Sequence, residues 1–102
     1  MGRKTLKLRW TRSALADLIE AQQHIAQDHP AAAQAPAQRV WETANNLTDY
    51  PEIGRRGHVD GTREWLANQT PYLIVYRVRG KSVEILRVWH GRRNRHTNPT
   101  GR

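Results

Sequence analysis

The chain has 102 residues, no cysteine and a formal charge of +8 at pH 7. That length suits one domain with a single core, and the missing thiols exclude both a disulfide scaffold and a thiolate metal site. No apolar run approaches the roughly 20 residues a membrane helix needs, so a soluble, cytoplasmic protein without a membrane partner is expected.

Leu6, Leu8 and Trp10 alternate with Lys7 and Arg9, the period-2 pattern of a half-buried strand. Thr11 or Ser13 can cap the helix that follows, and Asp17 and Glu20 suit the positive end of its dipole. Leu15, Leu18, Ile19, Gln22, Ile25 and Ala26 form its inward stripe at helical spacing. Asp28-His29-Pro30 ends this helix and starts another, which is expected to run to about Asp49 with Val40, Trp41, Ala44 and Leu47 inward. Pro36 removes a backbone donor within that span, so a kink is expected there, the alternative being a stable helix that starts at Pro36 itself.

Gly54-Arg55-Arg56-Gly57-His58-Val59-Asp60-Gly61 shows neither period and reads as a basic loop. Thr62 to Asn68 and Pro71 to Val78 read as strands, the second apolar enough to be central in a sheet. Arg79-Gly80-Lys81 makes a hairpin turn into a last strand, Ser82 to His90. The expectation is an α+β fold in the order β-α-α-β-β-β. A two-helix hairpin packs on a mostly antiparallel four-stranded sheet, forming one domain over residues 1–96 with a flexible tail at 97–102.

Charge is segregated along this order. Ser13 to Tyr50 holds five acids and one base, a net of −4, whereas the rest holds sixteen bases and four acids, a net of +12. After Glu84 no carboxylate side chain follows, while Arg87, Arg92, Arg93, Arg95 and Arg102 are all cationic. A strand that ends in guanidinium groups and imidazoles is suited to an anionic partner.

The order and spacing of Gly61-Thr62-Arg63-Glu64, Pro71-Tyr72-Leu73-Ile74-Val75-Tyr76-Arg77-Val78 and Val83-Glu84-Ile85-Leu86-Arg87-Val88-Trp89-His90-Gly91-Arg92-Arg93 resemble the RelE/ParE toxin superfamily, from Leu6 to about Arg93. The resemblance implies a small bacterial toxin of a type II toxin–antitoxin pair, neutralised by an antitoxin that wraps around it. RelE-like members cut mRNA, typically in the ribosomal A site, and need no metal. ParE-like members inhibit DNA gyrase and are not known as nucleases. The fold is shared, so the site must decide. For the antitoxin, charge complementarity implies an acidic, amphipathic segment over the helical hairpin or the basic sheet face.

For RNA cleavage, His90 is the proton-transfer candidate, as base or acid, or else a strand-end histidine bonded to backbone. Arg63 occupies the place where RelE-like toxins carry a sheet arginine; it clamps phosphate or forms a salt bridge with Glu84. Arg87 completes the catalytic set, although simple alternation puts it on the face of Ile85 and Trp89, opposite His90, unless a bulge intervenes. Arg55, Arg56, Arg92 and Arg93 are candidates for phosphate contacts. Tyr72 and Tyr76 either stack on a base or belong to the core. No His-x-x-x-His pair is present among the five histidines, and no metal or cofactor is expected. RelE-like enzymes carry sheet lysines or a terminal tyrosine, and here no Tyr follows Tyr76. The ending Leu-Arg-Val-Trp-His is similar to the Arg-Val-Leu-His ending of ParE-like members. The concentrated positive charge favours mRNA and the ribosome as targets and the ending favours gyrase; the charge decides, so the expectation is a metal-independent, ribosome-dependent mRNA endoribonuclease that inhibits translation, with gyrase inhibition as the alternative.

Overall fold

The computed structural model describes residues 6–28 and 34–91, apart from the side chains of 25–28 and 34–35. The elements are β1 (Lys7–Trp10), α1 (Arg12–Asp28), α2 (Gln34–Leu47), β2 (Arg55–Arg56), β3 (Arg63–Leu66), β4 (Tyr72–Arg79) and β5 (Ser82–His90). One sheet runs in the order β1-β5-β4-β3-β2. β1 lies parallel to β5 and every other pair is antiparallel. The expected α+β class holds, with five strands in place of four. The addition is β2, a two-residue rung in which Arg55 pairs with Glu64 and Arg56 with Arg63. Two residues between glycines are too few to show a period, so the sequence reads as loop there.

β4 and β5 form the hairpin expected of them. Gly80 turns with φ of 61° while Lys81 keeps a negative φ, the pattern of a type II′ turn, which matches strand twist. The core lies between the helices and one sheet face. Tyr72, Ile74 and Tyr76 of β4 and Val83, Ile85 and Val88 of β5 meet Ala14 of α1 and Val40, Ala44 and Leu47 of α2. Each fully buried Ile or Val contributes on the order of 1.5–3 kcal/mol of apolar transfer energy.

Thr11 is the cap. Its hydroxyl accepts the Ala14 N–H at 3.2 Å and donates to the Ile85 carbonyl at 2.8 Å, so the start of α1 is tied to β5. The helix is rotated from the expected stripe: Ala14 is fully buried and Leu18 and Ala21 pack inward, while Leu15 and Ile19 are exposed. Asp17 and Glu20 lie beyond the first turn, which holds no acid. On α2, Val40, Ala44 and Leu47 face in as expected, but Trp41 is 46% exposed and stacks on Trp10 at 5.1 Å. Pro36 stands in the first described turn of α2, a position compatible with proline. The expected junction from His29 to Ala33 lies outside the described residues, as does the tail at 97–102.

A bulge divides β5. Val75 pairs with Arg87 and Tyr76 with Ile85, which leaves Leu86 as the extra residue. Ile85 and Val88 therefore both face the core, three residues apart, and Arg87 turns to the opposite face. The expected shared face of Ile85 and Arg87 is thereby overturned.

Candidate functional site

The C-terminal half of β5 has β4 on one side and, among the described residues, no strand on the other, because β1 ends opposite Ile85. Helix α1 covers that edge. Asp17 accepts the Val88 backbone N–H at 3.0 Å and takes both Nε and Nη2 of Arg87, at 2.8 and 3.0 Å. One carboxylate thus replaces a missing strand rung and holds a guanidinium in a two-point grip. The hydrogen bonds that Arg87 donates to Asp17 raise its pKa, against burial; the charges of Asp17 and Glu20 add to the rise. The Arg87 guanidinium also lies over the Trp89 ring, 5.4 Å from its centre.

Beside this node is a cleft of about 180 Å³ lined by Asp17, Glu20, His24, Tyr72, Arg87 and His90, among others. His90 pairs with Tyr72 across the ladder and meets its ring edge-on at 5.5 Å. The cleft brings together three candidates, His90, Arg87 and Tyr72, but adds two carboxylates that repel phosphate. The sequence signal for Asp17 was its place beside Leu18 on the inward side of α1, where a carboxylate needs a partner.

Arg63 stands elsewhere. Its Nη1 donates to the carbonyls of Gly54, at 2.8 Å, and Glu52, at 3.2 Å, strapping β3 to the preceding loop. The expected Glu84 partner is unavailable because β4 lies between β3 and β5; Glu84 binds Arg77 at 2.6 Å. Arg63 pairs with Tyr76 and His90 with Tyr72, so about 13 Å of strand separates the two. Arg55 forms an ion pair with Glu64 at 3.2 Å, and exposed Arg56 lines a second cavity with Arg63, Glu52 and Asp60. Arg92 and Arg93 lie outside the described residues.

Tyr76 is wholly buried, placing it in the core. Its hydroxyl donates to the Pro51 carbonyl at 2.8 Å and accepts the Gly54 N–H at 2.9 Å. Burial raises its pKa, opposed by the Gly54 hydrogen bond and the Arg63 charge. Gly54 is packed so closely that a Cβ would come 2.5 Å from that hydroxyl and 2.9 Å from the Glu64 carbonyl. Among the described residues no cluster of three His, Asp or Glu could hold a metal, and no helix is long and apolar enough to cross a membrane.

The same fold occurs in chains of solved toxin–antitoxin systems. A chain of the chromosomal ParDE TA system from P. aeruginosa superposes with a TM-score of 0.78 at 30% identity, over 84% of this chain and 96% of that one. A chain of the RelBE2 toxin–antitoxin complex from Mycobacterium tuberculosis gives 0.60 at 25%, over 87% and 94%. Toxin RelE2 of Caulobacter vibrioides is 40% identical over 84 residues, 82% of this chain and 93% of its own length. The family described as "ParE toxin of type II toxin-antitoxin system, parDE" matches residues 8–95, and the chain belongs to it. It is the toxin component of a type II toxin–antitoxin system.

Proposed function

We propose that this toxin arrests growth in the ParE manner, by acting on DNA gyrase without cutting RNA. The observation that carries the reading is how the candidate cations are used. Arg87 is gripped by Asp17, Arg63 donates to two backbone carbonyls, and about 13 Å of strand lies between Arg63 and His90. A phosphorane would need donors converging on one point, and here they serve the fold instead. The ParE family match supports the same reading. The neutralising partner is a cognate antitoxin, which charge complementarity makes an acidic, amphipathic segment.

The test is a gyrase supercoiling assay run beside translating ribosomes. Inhibited supercoiling, stalled gyrase–DNA cleavage complexes and intact mRNA are expected, with His90→Ala retaining the gyrase effect. Unimpaired gyrase at saturating toxin would end the proposal. A second reading, RNA cleavage in the RelE manner, draws on one observation: His90, Tyr72 and Arg87 line one cleft. It requires new mRNA ends in the ribosome assay, lost in His90→Ala.

A further inference from the structure

We propose that the sheet face opposite α1 and α2, at its β4–β5 turn, binds the phosphodiester backbone of a nucleic acid. This goes beyond the choice between gyrase and mRNA, because it concerns a surface remote from the His90 cleft. The register builds it. Across the sheet, Arg9, Glu84 and Arg77 form one row, and Lys7, Ser82 and Arg79 form the next. Leu8 and Trp10 pack against the core, so Lys7 and Arg9 alternate onto the outer face, as Arg77 and Arg79 do on either side of Val78. Four cations therefore mark the corners of a patch about 7 Å by about 10 Å, and exposed Lys81 lies in the turn at its end.

The charge in this patch is not balanced. Glu84 is the single carboxylate in the two rows, and Arg77 takes it at 2.6 Å. Lys7, Arg9, Arg79 and Lys81 form no ion pair among the described residues. The Glu84 carboxyl is held below its ordinary pKa, first by the Arg77 hydrogen bond and then by the charges of Arg77, Arg79 and Arg9, against burial. Four like charges in so small an area repel one another, and a polyanion relieves that repulsion while releasing its own counterions.

The chemistry of the patch selects the occupant. Protein interfaces anchor on buried aromatic or aliphatic side chains, and the two rows offer none. The exposed apolar residues Ile53, Trp65 and Leu66 border one groove with Leu73, at the far end of β4. The rows also lack an aromatic ring on which a base could stack. What remains is contact with phosphates, independent of sequence and sensitive to salt.

The experiment is fluorescence anisotropy of the purified toxin with a labelled DNA duplex and, separately, a labelled single-stranded RNA, across a salt series. Neutralising two contacts in R9Q/R79Q should flatten the log–log salt slope by about 1.8 on the duplex or about 1.4 on the single strand. That change makes the loss of duplex affinity between about 50 and about 200 mM salt roughly twelvefold smaller. R9K/R79K keeps the charge and should keep the slope. Arg39→Gln, which removes a positive charge from α2 instead, should leave it unaltered. The two arms tell DNA from RNA by affinity at fixed salt. An unchanged slope in R9Q/R79Q on both probes would overturn the proposal. So would displacement of either probe by polyglutamate as readily as by unlabelled nucleic acid, since carboxylates would then serve equally well. Neither result touches the gyrase assay, so the two proposals fail separately.

Discussion

From Ser82 to Ile85, β5 lies between two strands and its outward residues meet a surplus of cations; from Arg87 to His90 it lies between β4 and a helix, and its cation is consumed by Asp17. The two halves differ in what their backbone needs. The first has its ladder completed by β1, so side chains around it are left to solvent and to partners. The second has an open edge, and an exposed edge must be covered. Asp17 covers it, and Arg87 is drawn into the same bond. An arginine at a strand end is available to a ligand only where the backbone beside it is already satisfied.

The largest expected effect comes from inserting an alanine after Arg87, just beyond the bulge at Leu86 that separates the two halves. With it the ladder past Arg87 slips by one, the alanine takes the core place of Val88 opposite Ile74, and Val88 turns to the other face. Loss of the cooperative thermal transition, followed by circular dichroism, is the expected outcome. Asp17→Ala comes next, because it strands the Val88 N–H as well as Arg87. Urea unfolding should register a loss of about 1–3 kcal/mol, more than for Arg87→Ala, where the carboxylate keeps its backbone bond. An equal loss in both would show that the edge bond contributes nothing.

The smallest effect belongs to the other half. The carboxyl of Glu84 is held below its ordinary value by Arg77, so its stabilisation is fully present above that ordinary value. It fades as pH falls through the depressed one. Glu84→Gln should therefore cost stability at neutral pH, with the difference from wild type shrinking in acid, as read by urea melts across a pH series. The same variant adds one net positive charge to the cationic rows and should tighten duplex binding in the anisotropy assay.

Much of this architecture was legible in the chain. The alternation of Lys7 to Trp10 and the bounds of Ser82 to His90 emerge as expected, because period-2 patterns and a Gly-centred turn are local signals. Leu86 was not, since the apolar Leu, Val and Trp on both sides of Arg87 suit either face and leave the slip unmarked. The exposure of Leu15 and Ile19 escaped for a related reason: Ala14 and Asp17 occupy the inward positions, and neither looks like core. Partner choice for Arg63 and Arg87 depended on strand order and on the helix crossing, which no spacing within the chain encodes. The candidate site was thus legible as a set of residue types but not as a set of contacts.

The bond between Tyr76 and the 51–54 loop has a consequence for how such a chain can change over generations. The phenol serves two backbone groups, and the room it leaves at Gly54 is too small for any side chain. A side chain at position 54 would also meet the Tyr76 ring at 2.8 Å and the Glu64 carbonyl at 2.9 Å, so loss of the phenol oxygen alone opens no room for it, and the glycine is the less replaceable of the two.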